Sequence, residues 1–178
     1  MHGIVHKTLK EYAIDRTDEE TWETILERAD LEPTLYLPVS SYEDHEIQAI
    51  LSAITSMASQ DRRQIERDFG RALAPELLST FNAHVRTDDF IAFLAALESI
   101  RGDVDEATTD ASLPSLTTTR ESTDDVHLAY RTHREPAYCG LAQGVLEGLA
   151  DEFDAEVTIV KTACVHDDES ACRYQLTR

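Results

Sequence analysis

Three cysteines and one histidine in the C-terminal part of the chain have the spacing of a metal site. Cys164-Val165-His166 is followed by Cys172, and Cys139 is the only other cysteine. Cys164 and His166 flank one residue at a strand end, so their side chains point the same way. A hairpin return would bring Cys172 beside them, with Cys139 supplied from a helix start. Such a Cys3His set suits Zn2+, because thiolates and an imidazole close a tetrahedron and leave no position open for catalysis. Two other readings use the same residues: buried thiols beside an exposed loop histidine, or a Cys164–Cys172 disulfide acting as a redox switch. Asp167, Asp168 and Glu169 disfavour nearby thiolates by like charge unless a bound cation offsets them, which favours metal.

A second constellation lies on the segment Val126 to Arg134, which alternates strictly. Val126, Leu128, Tyr130, Thr132 and Arg134 fall on one face, and His127, Arg131 and His133 on the other. The first face is apolar until it ends in a phenol, a hydroxyl and a guanidinium. An apolar wall finished by an arginine fork suits an amphipathic ligand with a carboxylate, because Arg pairs with carboxylates bidentately. The plainer reading is that Tyr130 and Arg134 make structural hydrogen bonds.

The elements that must position these residues form two halves. From Met1 to about Ala107 the pattern is helical. Ile4, Val5, Leu9 and Tyr12 make one stripe of a first helix with Lys7 and Glu11 opposite, and His2 and His6 read as its solvated side. Thr17 to Glu20 is a capping box before Trp22, Ile25 and Leu26. Ser41 to Asp44 caps a third helix, the segments Asp61 to Phe69 and Leu73 to Phe81 continue the helical half, and Asp88 or Asp89 opens a long helix that Gly102 weakens or ends. Then come strands at Thr108 to Thr119 and Val126 to Arg134, and a helix from about Pro136 to Phe153. Two more strands follow, about Glu156 to Ala163 and Ala171 to Leu176. The fold class is α+β: a helical N-terminal half packed on a small antiparallel β-sheet with one crossing helix, residues 1–178 being read as a single domain.

The net charge of −19 and a pI near 4.5 argue against nucleic acid or anionic lipid as partners. Only Lys7, Lys10 and Lys161 are lysines; the other cations are arginines. Acid excess with few lysines fits a halophile's cytoplasmic protein, and an acidic interaction surface is the alternative. An odd number of cysteines suits metal or thiol chemistry in a reducing compartment better than a disulfide framework. No nucleophile turn, Gly-rich phosphate loop or open metal position points to an enzyme.

Against these residues, the chain resembles the haem–nitric oxide/oxygen binding (H-NOX) family, the sensor fold of soluble guanylate cyclase and bacterial regulators. Met1-His2-Gly3-Ile4-Val5 is similar to the family's first helix, and Tyr130-x-Thr132-x-Arg134 to its propionate clamp Tyr-x-Ser-x-Arg. The resemblance implies a haem b pocket in which Tyr130, Thr132 and Arg134 hold propionates, Val5 and Leu9 line the distal side and Pro114 lies against the porphyrin. It also implies the zinc site at Cys139, Cys164, His166 and Cys172 that some bacterial members carry. Laying Asp88-Asp89-Phe90 on the family pattern puts Gly102 where the haem-ligating histidine belongs. The expectation is therefore a non-enzymatic sensor with weak or no haem binding, signalling to a histidine kinase, a cyclic-dinucleotide enzyme or a chemotaxis transducer. The alternatives are a thiol/zinc redox sensor with a vestigial pocket, or a sensor of a non-haem hydrophobic carboxylate.

Overall fold

The computed structural model describes residues 1–81, 87–107, 114–122, 125–134 and 137–178. Five helices come first: α1 (Gly3–Arg16), α2 (Glu19–Ala29), α3 (Asp44–Met57), α4 (Arg62–Phe81) and α5 (Phe90–Ala107). They are followed by β1 (Ser115–Arg120), β2 (Asp125–Arg131), α6 (Cys139–Glu152), β3 (Thr158–Ala163) and β4 (Cys172–Thr177). The sheet is antiparallel with strand order β1-β2-β4-β3, so the α+β architecture read from the sequence is the one observed.

Several boundaries moved for local reasons. The N-cap of α2 is Asp18, whose carboxylate accepts the Thr21 N–H at 2.7 Å, while the Thr17 hydroxyl donates to the Ala13 carbonyl and closes α1 instead. The α5 helix runs past Gly102 to Ala107: one glycine costs about 1 kcal/mol, which its neighbours absorb. The strand expected from Thr108 begins at Ser115, residues 108–113 lying outside the described ones. The last helix starts at Cys139, after Tyr138 in a left-handed conformation (φ 47°), and Pro136, read from the sequence as its start, lies outside the described residues.

Two apolar cores result. Leu9, Tyr12, Trp22, Ile50 and Phe69 belong to one, among α1 to α4. Phe93, Leu128, Leu149, Tyr174 and Leu176 belong to the other, between the sheet, α5 and α6. Val145 packs on both, and α4 against α6 joins them. That junction is backbone on backbone: a Cβ on Gly144 would lie 1.9 Å from the Arg67 carbonyl oxygen, and one on Gly70 would lie 2.4 Å from that of Leu141. Beside the crossing, Glu147 accepts from Arg67 Nε at 2.7 and 2.9 Å and pairs with Arg71 at 2.7 Å. Burial works against the Glu147 carboxylate, but the Arg67 and Gln143 donors outweigh it and hold its pKa below the ordinary value.

The α1 helix departs from expectation at His6. The residue read as solvated is wholly buried (0 % exposed), its ring 4.9 Å from that of Tyr36 and 5.1 Å from that of Tyr42. Neither ring nitrogen completes a hydrogen bond, although the His2 and Glu43 carbonyls face the ring. The segment from Tyr36 to Tyr42 folds back over α1, contact that helical periodicity cannot register. Burial lowers the His6 pKa, and Glu46 offsets this only in part.

Two outcomes follow. Gly144→Ala is expected to cost about 3 kcal/mol or more in urea unfolding, because neither backbone can yield to the added methyl. A His6 pKa depressed in the folded state means stability that is fully present above the unfolded value of about 6.5 and is lost as pH falls through the folded value. The difference in unfolding free energy between His6→Phe and the wild type should therefore widen between about pH 8 and pH 5.5. A constant difference would contradict the buried neutral imidazole.

Candidate functional site

The sheet register draws the two constellations together. Tyr130 on β2 pairs with Leu116 on β1 and with Cys172 on β4, so clamp tyrosine and thiol site share one row and one face of the sheet. The sequence reading did not connect them, because nothing in either strand states its register.

The structure brings three of the four expected metal ligands together. Cys139 opens α6, Cys164 follows β3 and Cys172 opens β4; all are buried, free thiols whose sulfurs lie within 4.8 Å of one another. The separations are 3.0 Å for Cys139–Cys172, 3.7 Å for Cys139–Cys164 and 3.8 Å for Cys164–Cys172. A tetrahedron with Zn–S bonds of about 2.3 Å has edges of about 3.8 Å, so two of the three edges already have that length. Tyr174 fixes the apex by donating from its hydroxyl to the Cys139 carbonyl at 3.0 Å.

His166 is placed differently from the expectation. Val165–Asp167 form a 3-10 turn, so strand alternation stops at Cys164 and His166 is exposed, outside the group of converging sulfurs. Its backbone N–H faces the Cys164 sulfur instead. Burial would raise the Cys164 pKa, but that N–H, the Cys139 thiol and the Lys161 ammonium together lower it. Burial and the Cys172 thiol push Cys139 up. The arrangement can concentrate negative charge on Cys164, and its donor set fits a soft cation.

The clamp residues are also only partly as expected. β2 ends at Arg131, and the Thr132 hydroxyl accepts the Arg134 N–H at 3.1 Å, a local turn that replaces strand alternation. Tyr130 donates to the Ala137 carbonyl at 3.1 Å, and burial pushes its phenol pKa far up. Arg134 Nε donates to Asp44 Oδ2 at 2.8 Å, and the Met1 amine lies 2.6 Å from Asp44 Oδ1. Burial opposes the Asp44 charge, but these two cations hold its pKa below the usual carboxylate range. Sequence reasoning took Asp44 only for a helix start; a carboxylate separated from its arginine by 90 residues leaves no local signal.

Of the other expected pocket residues, Leu9 is wholly buried in the N-terminal core, Val5 packs against that core, and Pro114 is half-buried just before the Ser115–Arg131 pair. Gly102 lies within α5. Among the described residues no helix is long and apolar enough to cross a membrane.

Comparison with known proteins gives this geometry its class. The family profile described as Haem-NO-binding matches residues 2–161, and the chain belongs to that family. An H-NOX protein from S. oneidensis, solved by crystallography in the Fe(II)NO ligation state, superposes with a TM-score of 0.88 at 22% identity, over 99% of this chain and 98% of that one. A histidine-to-glycine mutant of an H-NOX domain from Shewanella oneidensis, solved by NMR in the Fe(II)CO ligation state, gives a TM-score of 0.86 at 22% identity, over the same shares. Soluble guanylate cyclase gcy-32 of Caenorhabditis elegans is 23% identical over 172 residues, which are 90% of this chain and 24% of that protein. The chain thus spans about a quarter of that relative's length.

Asp44→Asn tests the tie across the clamp. With Asp44 partly exposed and screened, the loss expected in urea unfolding at neutral pH is about 1 kcal/mol, shrinking as salt rises. The Asp44 contribution is present above the unfolded carboxyl pKa and disappears as pH falls through the depressed folded value, so wild type and variant should converge in acid.

Proposed function

We propose that this chain is a signalling sensor domain without catalytic activity of its own, whose output is a protein contact and whose haem binding is weak or absent. One observation carries the reading. Along the whole of α5, Phe90 to Ala107, there is no His, Cys, Met or Tyr, and Gly102 stands where the resemblance puts the iron ligand. The donor set fits the carboxylate edge of a haem and not its iron. Tyr130, Thr132 and Arg134 can receive propionates, or the carboxylate of another hydrophobic ligand, with Val5, Leu9 and Pro114 as the apolar side. When bound, haem supplies the ferrous iron that takes a diatomic gas; this chain supplies no axial side chain on α5 to hold it.

The three convergent thiols support a second component, a zinc site formed by Cys139, Cys164 and Cys172 with His166, two residues from Cys164, turning in as fourth ligand. Thiolate oxidation that releases such a zinc would free α6 from the β3–β4 connection, which is the alternative sensing mode. The partner class is that of a histidine kinase, a cyclic-dinucleotide enzyme or a chemotaxis transducer, in line with a relative that is a guanylate cyclase. The acid excess supports a halophilic, cytoplasmic setting.

The test is an absorption spectrum with metal analysis on wild type and Gly102→His, purified in high salt from haem-replete cells. The histidine-to-glycine relative in an Fe(II)CO state makes reduced protein under CO, with and without free imidazole, part of the comparison. The expected result is one zinc per chain in both, substoichiometric haem in wild type, and haem affinity raised at least about tenfold by Gly102→His. One haem per wild-type chain, unaltered by the substitution, would overturn the weak-haem reading, and zinc retained after Cys164→Ser would overturn the metal site.

A further inference from the structure

The α1–α2 side of the molecule carries an open cleft of about 770 Å3 that the sensor reading leaves unused. Its floor is apolar, from Ile14, Trp22, Leu26 and Leu31. Its rim is anionic: Glu19, Glu23 and Glu27 rise from one edge of α2 at helical spacing, and Asp30 and Glu32 continue the line after the helix ends. Lys10 is the one cation lining it.

What sets these five carboxylates apart is that they line one cleft with a single cation, Lys10. Glu11, Asp44, Glu66, Asp68, Glu147 and Glu169 each have a cation partner. Among the described residues none of the five rim carboxylates makes an ion pair. Lines of like charge at four-residue spacing are unfavourable on a helix, so α2 carries an electrostatic cost that a cationic occupant would remove.

The apolar surface next to the cleft is equally unmatched. Leu35 lines its lip at 78% exposure, and Leu37 and Val39 follow at 49% and 88%, all standing away from buried Tyr36. Three of the five large hydrophobics exposed among the described residues thus lie within one five-residue run. Such a strip beside a charged groove marks a protein contact.

We infer that this cleft, with its Leu35–Val39 lip, docks a basic amphipathic helix of a partner protein, apolar side on Leu35, Leu31 and Ile14 and Lys/Arg side against the rim. Cations alone would leave the apolar floor and lip uncovered, and an apolar segment alone would bury no match for five carboxylates. A second copy of this chain fits poorly, since it brings net charge −19 and three lysines to an already anionic rim. Anionic lipid is repelled for the same reason. The cleft shares α1 with the candidate pocket, Lys10 and Ile14 on one side and Leu9 in the core on the other, so an occupant would bear on the helix that carries Val5 and Leu9. The inference rests on the signalling reading for its biological meaning only.

Trp22 is the sole tryptophan and lies in the floor, so its emission reports the site directly. The probe is a synthetic Lys/Leu amphipathic helical peptide of about 18 residues, titrated into haem-free full chain. The expected result is a shift of Trp22 emission with saturable binding. Glu23→Lys/Glu27→Lys and, separately, Leu35→Ser should each weaken binding about tenfold, while Asp151→Lys/Glu152→Lys, with the same charge change at the exposed end of α6, should leave it unchanged. Equal loss in both lysine pairs, or equal binding of a sequence-scrambled peptide, would reduce the effect to diffuse charge and overturn the docking site. A concentration-dependent dimer in light scattering that Leu35→Ser abolishes would overturn it in favour of a second copy. Because the readout needs no haem, failure here leaves the sensor reading standing, and absence of haem leaves the cleft standing.

Discussion

The backbone contact between α4 and α6 is the constraint on which the rest of the structure depends. Gly70 and Gly144 let the two helices approach until a carbonyl oxygen lies where a side chain would begin, and Glu147 locks the crossing by accepting from Arg67 and Arg71. The helical core and the sheet core are otherwise separate clusters, each with its own aromatic residues. Their relative position is therefore set by a contact with almost no side-chain slack. An interface this close transmits small displacements well, since close-packed surfaces resist gradual deformation. The N-terminal end of α6 carries Cys139, so whatever fixes the crossing also fixes the apex of the thiol group.

From that apex the sheet carries position to the clamp. Tyr174 holds the Cys139 carbonyl, Cys172 sits opposite Tyr130, and Tyr130 spans back to the Ala137 carbonyl two residues before Cys139. The segment that enters α6 is thus gripped by two phenols from neighbouring strands. Tyr174 is fully buried and Tyr130 half-buried, and burial pushes each phenol toward its neutral form, as a hydroxyl that must donate to a carbonyl requires. A change of charge or length among the three sulfurs would reach Tyr130 through one strand spacing. This geometry makes the three thiols and Tyr130 one structural unit.

What the sequence made legible divides along physical lines. Alternation of apolar residues on β2 and periodicity on α3 and α5 gave those elements their faces, because local patterning carries that information. Features decided by partners distant in sequence were not legible: His6 buried under Tyr36 and Tyr42, Asp44 reaching Arg134, and Gly144 against Arg67. His166 was misplaced for a different reason, since strand alternation was extended through a tight turn in which Asp168 takes a left-handed conformation (φ 62°). The same error, continuing a pattern beyond the end of its element, put Thr132 and Arg134 on the strand. Element types were readable and element ends were not, and the candidate sites sit at element ends.

Asp44 changes what the clamp can be expected to do. An arginine left buried without a carboxylate would destabilise the fold, and a fold that relied on a ligand to satisfy it would depend on that ligand for stability. Here Asp44 satisfies Arg134 from within the chain, and it draws further support from the Met1 amine. The Arg134 guanidinium is therefore paired from within the chain. A ligand carboxylate arriving there exchanges one ion pair for another and gains little from the exchange, so its affinity must come from apolar burial and, for haem, from the iron ligand. Because α5 carries no His, Cys, Met or Tyr, the proposed reading gives the second contribution no source in that helix. On the proposed weak-haem reading, the Arg134–Asp44 pair and an α5 without His, Cys, Met or Tyr are consistent with each other: each would lower the dependence of the fold on haem, and together they would leave apolar burial as the main determinant of what binds.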